Sequence, residues 1–368
     1  MDGMRRALPL LFSLAALLAL PGPGWGQIKP DETLVFIPTA GYRDVAGEGW
    51  MVPIHGWVFE PETDSVTRAA FLGLFRNLFG RDWSEEEQGR FRARARMFLV
   101  DNEGGKRIRV RIGTGEFAVG VSEPDGHVRA TLRVGGETGP TVTKVPVPSL
   151  DYAAISPEGE TREFPGAVQL LEPTGVSVVS DLDDTIKVSQ VGEIKELLAN
   201  TFLRPFRPVA GMAETYRGWA GAGWGFHYVT ASPWQLFPVV EEFLRDQGFP
   251  RGSVHMRQVR WIDASVANLF ASSSEVKRPA IQELFRTYPQ RQFVLVGDSG
   301  ENDPELYGAL SRAHPRQVAG IFIRDVGRGT NPERLDKAFE GIPLSLWRVF
   351  EDGRSLAAIA EGLFAGSK

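Results

Sequence analysis

The sequence predicts an α/β protein: a doubly wound parallel sheet in the second half of the chain, preceded by a β-rich, sandwich-like unit with inserted helices. Three observations predict it. After residue 175, short apolar segments recur with helical stretches between them, the pattern of parallel strands joined by crossover helices. From Arg107 to Val134, apolar residues instead alternate with charged ones, the period of half-buried antiparallel strands. Acidic and hydroxyl residues gather at the C-terminal ends of the later apolar segments, where open parallel sheets place their sites.

The first element is a leader. Arg5-Arg6 precede an apolar run, Ala7 to Leu20, that Pro21-Gly22-Pro23 breaks, and Gly24 and Gly26 supply small residues. This charged, apolar, small-residue order is that of a secretory signal peptide. The run is shorter than the roughly 20 residues a membrane span needs, so cleavage near Gly26 and an exported, periplasmic or secreted protein are expected, with a retained anchor as the alternative. The chain has no cysteine, which excludes disulfides, thiolate catalysis, cysteine metal sites and a lipid-modified cysteine after the leader.

Residues 27–170 form the expected β-rich unit. Thr33 to Ile37 and Met51 to Phe59 are rich in β-branched and aromatic residues, as strands are. Residues 66–80 read as a helix, because Phe71, Leu74, Phe75 and Leu78 fall at i, i+3, i+4 and i+7. That stripe is expected to pack on the β-rich unit, although such a face can also dock a bilayer. A second helix is expected at Ser84, whose side chain can cap the turn Glu85-Glu86-Glu87. Ile108, Val110 and Ile112 then alternate with arginines, and Phe117 to Val119 and Ala130 to Val134 follow beyond turn residues. These read as antiparallel strands.

Residues 171–350 form the expected parallel-sheet unit, with 351–368 a C-terminal helix and tail. Strands are expected at Val176 to Ser180, Phe226 to Thr230, Phe293 to Gly297 and Val318 to Ile323, with helices over 208–220, 234–247 and 276–287. The strand ends carry the chemistry. The first gives Asp181, Asp183 and Thr185; the second Thr230 and Ser232; the third Asp298, followed by Asp303. Lys277 opens a helix. Carboxylates at neighbouring strand ends repel one another unless a hard cation neutralises them, and Mg²⁺ favours one or two carboxylates with phosphate and water oxygens. Lys277 offsets further charge, and the Thr230 hydroxyl can donate to a phosphoryl oxygen. The set suits a phosphoryl group held while a carboxylate attacks it. The net charge of −5 leaves no electrostatic footprint for nucleic acid.

In this order the motifs resemble those of the haloacid dehalogenase-like phosphatases: Asp-x-Asp-x-Thr at 181–185, a hydroxyl at 230, Lys277, and Gly-Asp-x-x-x-x-Asp at 297–303. Asp181 to Lys187 (DLDDTIK), Thr201 to Pro205, Gly211 to Glu214, Ser232 to Leu236 and Gly297 to Leu306 are also similar to the actin-patch-type phosphatidate phosphatases and their bacterial relatives, over about residues 175–330. The resemblance implies a HAD-like catalytic domain and a role for each matching position. Asp181 is the nucleophile that forms an aspartyl-phosphate. Asp183 is the acid for the leaving alkoxide and then the base for water. Asp181, the backbone carbonyl of Asp183, and Asp298 bind Mg²⁺, with Asp303 ligating it or orienting its shell. Thr230 and Lys277 hold and neutralise the phosphoryl group.

Thr185 fixes the turn beside the substrate phosphate, with Ser232 as a substrate contact that also caps the helix at Pro233. Where relatives carry a Leu-Arg-Asp-like run, this chain reads His255-Met256-Arg257-Gln258, leaving Arg257 to meet the substrate phosphate. The implied substrate is a phosphomonoester, with a membrane lipid leading and peripheral membrane contact following from it. A soluble phosphomonoester, or an envelope-binding module with a dormant catalytic half, are the alternatives. His227, inside an apolar strand, is expected in the core; Trp234 and Trp261 can line either a lipid-facing rim or an interface.

Overall fold

The computed structural model describes residues 26–44, 49–61, 73, 75, 79, 82–135, 147–156, 159–258, 273–327 and 330–364. The expected leader, Trp261 and most of the 66–80 helix lie outside them. Two sheets carry the fold.

The first sheet contains β1 (Thr33–Phe36), β2 (Thr39–Arg43), β3 (Gly49–Glu60), β4 (Asp101–Asn102), β5 (Arg107–Ile112), β6 (Gly115–Val121), β7 (His127–Gly135), β8 (Ser149–Ala154) and β9 (Pro165–Leu171). Its strands run in the order β1-β3-β2-β9-β8-β5-β6, with β4 and β7 also on β3. An antiparallel unit was expected; β2 and β9 instead pair parallel, and all nine strands form one hydrogen-bonded sheet. The reason is the length of β3, twelve residues. One edge of it holds β1 at Gly56–Phe59 and β2 at Trp50–Met51; the other holds β7 along Gly49–Trp57 and β4 at Phe59–Glu60. The period of two then divides its side chains. Trp50, Val52, Ile54 and Val58 enter the core of the β-rich half, with Ile108, Val110 and Leu170. Trp57 and Phe59 point the other way and meet Met97 and Trp234.

The helix expected at Ser84 is α1 (Glu85–Ala95). Ser84 Oγ accepts from Glu87 N and the Glu87 carboxylate accepts from Ser84 N, a reciprocal capping box. Of the aromatic stripe, Phe75 is described: it is helical, fully buried, and packs edge-on against Phe91 of α1 and Phe202 of the second half.

The second sheet is wholly parallel: β10 (Val176–Ser180), β11 (Gly225–Pro233), β12 (Ser253–Arg257), β13 (Gln292–Asp298), β14 (Val318–Arg324) and β15 (Trp347–Phe350). The order is β12-β11-β10-β13-β14-β15, so the winding reverses between β10 and β13. Here too alternate residues face opposite ways. Val178, Tyr228, Val294 and Phe322 pack with α3 (Met212–Gly221), α4 (Phe237–Asp246) and α8 (Gly353–Phe364). Val179, Val229, Leu295 and Ile321 pack with α5 (Ser273–Thr287), α6 (Asp303–Ala313) and α7 (Pro332–Ala338). Both faces are covered, which is why these strands read as unbroken apolar runs. A short helix, α2 (Ile194–Leu198), and a π-helical turn, Ala199–Leu203, occupy the insert after β10. Among the described residues no helix is long and apolar enough to cross a membrane.

Helix α3 begins later than the expected 208, because Pro208 bridges Lys187 and Gly211 turns the chain at φ 74°. Strand β11 runs on past the expected Thr230 to Pro233, with a register shift against β12 between Val229 and Pro233.

Candidate active site

Strand β10 lies at the reversal point, and its ladder extends one residue further: Asp181 N donates to Val296 O of β13 at 2.9 Å. The chain then turns sharply. Asp184 adopts φ 55°, a conformation Asp tolerates better than most residues, and Ile186 N and Lys187 N both donate to Leu182 O. The turn returns Thr185 beneath the strand end, where its hydroxyl donates to Asp181 Oδ2 at 3.0 Å. Thr185 is fully buried. It holds Asp181 in place.

Strand β13 brings Asp298 alongside. The carboxylate of Asp298 accepts from Gly300 N and Glu301 N, which curls the chain into α6 and presents Asp303 at its first turn. Gly297 permits this approach, since a Cβ there would meet Asp303 Oδ2 at 2.3 Å. Lys277 arrives from α5, fully buried, with Nζ 3.0 Å from Asp181 Oδ1, 2.8 Å from Glu301 Oε2 and 2.7 Å from Asp303 Oδ1.

Asp181, Asp298, Glu301 and Asp303 thus each offer a carboxylate oxygen within 4.8 Å of the others, around one ammonium. Charge is unbalanced here, and the protonation equilibria show it. Burial drives the Asp181 carboxyl well above the usual carboxylate range; Lys277 opposes this, and Asp303, Glu301 and Asp298 reinforce it. Burial, then Asp303 and Glu301, raise Asp298 in the same way. Lys277 is held well above its ordinary value, its desolvation outweighed by Asp181, Asp303 and Glu301. Buried Asp298 Oδ2 has no hydrogen-bond partner, and Asp181 Oδ1 meets only the Lys277 ammonium. Clustered, hard carboxylate oxygens in a dry site are the donor set of a divalent cation, and the residues present fit one.

Asp183 is treated differently. Its Oδ1 is 2.6 Å from Lys187 Nζ and accepts from Ser189 Oγ at 2.7 Å; its Oδ2 accepts from Ser232 Oγ at 2.7 Å and Thr230 Oγ1 at 3.2 Å. Burial alone would raise this carboxyl, but Lys187 and the hydroxyl donors outweigh it and lower the group to about 2. Its side chain is therefore no part of the metal-suited cluster, and only its carbonyl is left for the ligand role the resemblance implies. The Lys187 ammonium also lies 4.6 Å over the Phe206 ring.

The structure brings Asp181, Asp183, Thr185, Thr230, Ser232, Lys277, Asp298 and Asp303 together. Ser232 does not cap a helix as expected: because β11 continues to Pro233, the following turn begins at Trp234 with no side-chain cap, and the hydroxyl is free to reach Asp183. Arg257 ends β12, one strand beyond β11, half-buried. A cleft above the strand ends is lined by Asp183, Val191, Leu197, Thr230, Ala231, Ser232 and Glu301.

Four contributors escaped the sequence reading: Glu301, Lys187, Ser189 and Asp184. The last grips the loop above the site, accepting from Ser189 N, Gln190 N and Val191 N. Glu301 and Lys187 lie inside the segments that mark the site, and their charge was the available signal. His227 is in the core as expected, bonded through Nδ1 to Ser253 Oγ. Trp234 is an interface residue, packed edge-on at 4.0 Å against Trp57 of β3.

Comparison with known proteins bears on this half of the chain. Residues 176–325 match the model of a family described as "Phosphatidate phosphatase APP1, catalytic domain". Over 158 residues the chain is 30% identical to phosphatidate phosphatase APP1 of Saccharomyces cerevisiae, covering 42% of this chain and 26% of that protein. Over 187 residues it is 28% identical to an uncharacterized protein of Schizosaccharomyces pombe, covering 50% of this chain and 30% of that one. The match thus spans less than a third of the length of these curated relatives. A solved beta-glucuronidase of Parabacteroides merdae aligns over 84% of this chain and 34% of its own at 10% identity, with a TM-score of 0.28 that carries no argument. The family match begins with β10 and ends just after β14, so it contains the whole carboxylate–lysine site described above. The parallel-sheet half of the chain is thus similar to the catalytic domain of the APP1-type phosphatidate phosphatases.

Proposed function

We propose that the protein is a Mg²⁺-dependent phosphohydrolase that removes phosphate from a lipid phosphomonoester, with phosphatidate the leading substrate. The observation that carries this is Asp181 beside Lys277 and two further aspartates, in the segment shared with the catalytic-domain family. Mg²⁺ held by Asp181, Asp298 and the Asp183 carbonyl, with Asp303 or Glu301 in support, would supply charge stabilisation of the transferring phosphoryl group.

The chain's own residues do the rest. An Asp181 carboxylate oxygen attacks phosphorus; the new O–P bond forms as the bond to the leaving alkoxide breaks. Asp183, ionised in the resting site, would take up the proton carried by a monoanionic phosphomonoester and pass it to the leaving oxygen, then take one from the water that hydrolyses the aspartyl-phosphate. In the resting site the Asp183 oxygens are saturated by Lys187, Ser189, Ser232 and Thr230. Capture of the phosphoryl oxygens by the Thr230 and Ser232 hydroxyls would free Oδ2 to face the leaving group. Lys277 neutralises charge that builds on Asp181 and the phosphoryl oxygens. The leader expected from the Arg5 to Gly26 sequence supports the proposal that this chemistry takes place outside the cytoplasm.

The test is phosphate release from phosphatidate in mixed micelles and from soluble monoesters, with and without Mg²⁺. Wild type should release phosphate from phosphatidate only with Mg²⁺, and Asp181→Asn should abolish it. Equal release by both proteins overturns the reading.

A further inference from the structure

We infer that the loop and helix from Val191 to Leu197 form the docking element for the apolar part of the substrate, seating the cleft on a lipid surface. The inference rests on the lipid-phosphatase reading above.

Among the described residues, two large hydrophobic side chains are exposed: Leu344, and Ile194 at 46%. A single exposed apolar residue is ordinary. Ile194 differs in its neighbours. Val191 and Leu197, three residues to either side, both line the cleft that contains Asp183, Thr230 and Ser232. A spacing of three on a turn entering a helix brings side chains to one side. The result is an apolar strip that begins in the cleft and ends in solvent. The segment from Gly192 to Lys195 is exposed throughout, and its charges, Glu193 and Lys195, oppose one another, so its attraction to a bilayer is apolar rather than electrostatic.

The strip is also held in place. Asp184, between Asp183 and Thr185, accepts three backbone N–H groups from Ser189 to Val191. Asn200 donates to Ser189 O at 3.0 Å. Beneath it, the buried Arg94 of α1 donates to Thr201 O and Arg204 O, at 2.7 and 2.8 Å, pinning the π-helical turn. A pre-ordered apolar tip loses little conformational freedom on docking. Continuity with the cleft identifies the occupant: the glycerol and acyl portion of a phosphomonoester whose phosphate sits over Asp181.

The experiment measures kcat/KM on phosphatidate in phosphatidylcholine vesicles and on soluble p-nitrophenyl phosphate, for wild type, Ile194→Ser and Ile194→Trp. Ile194→Ser should lower the lipid-to-soluble ratio about fivefold or more, from the apolar surface no longer buried, and reduce co-sedimentation with the vesicles. Ile194→Trp should restore both, since indole favours the interface. If wild type cleaves phosphatidate and the ratio is the same in all three proteins, the docking element is disproved while the phosphatase reading stands. If wild type cleaves the soluble ester but not phosphatidate, both are overturned.

Discussion

Lys187 Nζ lies 2.6 Å from Asp183 Oδ1, and both side chains are all but inaccessible to water. The site therefore holds two separate ion-pair systems: Lys277 among Asp181, Glu301 and Asp303, and Lys187 with Asp183. The first is rich in negative charge and suits a cation. The second is balanced and holds the Asp183 carboxylate in one orientation.

Replacing Lys187 tests that division. Lys187→Met leaves a buried carboxylate without its counter-ion, which costs on the order of 3–5 kcal/mol. We expect lower stability in urea and a drop in kcat of about a hundredfold or more, because Asp183 loses the contact that orients it. A variant with wild-type kcat would remove Lys187 from the mechanism.

Asp298→Asn separates metal affinity from folding. In the metal-free protein it relieves repulsion among buried carboxylates, so its melting temperature should equal or exceed that of wild type. Mg²⁺ at 100 times its dissociation constant should stabilise wild type by about 2.7 kcal/mol, and the variant much less. Melting curves with and without Mg²⁺ read both effects without an activity assay.

Gly297→Ala should be disproportionately damaging. The added methyl would sit 2.3 Å from Asp303 Oδ2, and either that carboxylate or the β13–α6 turn must move. Overpacking of this kind costs about 1–3 kcal/mol, and loss of Mg²⁺-dependent stabilisation should accompany it. Unchanged melting and metal response would show that the turn is more pliant than its packing suggests.

The interface between the two sheets should be acid-sensitive. His127 is buried against Trp234, 4.2 Å between ring centroids, and shares a 2.8 Å hydrogen bond with His55. Burial, assisted by Arg129 and opposed by Asp125, lowers its imidazole from 6.5 to about 4. Between those values the unfolded chain binds a proton that the folded chain refuses, so stability falls as pH drops from 6.5 to 4 and this contribution is constant outside that window. The loss from His127 is about 3 kcal/mol. Urea titrations at pH 7 and pH 4.5 should show it, and His127→Gln should flatten the difference.

The sequence by itself determined the parallel-sheet half and most of its site. Four apolar segments with helices between them, and acidic residues at their ends, are local signals, and β10, β11, β13 and β14 lie where those signals fall. The Ser84 capping box was equally legible because its partners are three residues apart. Tertiary structure decided what depends on register and on turns. The continuation of β11 to Pro233 brings the Ser232 hydroxyl to Asp183; the left-handed Asp184 returns Lys187 to the same carboxylate; the curl after Asp298 adds Glu301 to the cluster. The length of β3 joins the β-rich half into one mixed sheet and turns Trp57 toward Trp234. Each of these couples residues through space by a backbone angle or a strand pairing, and neither is written in the spacing of residue types along the chain.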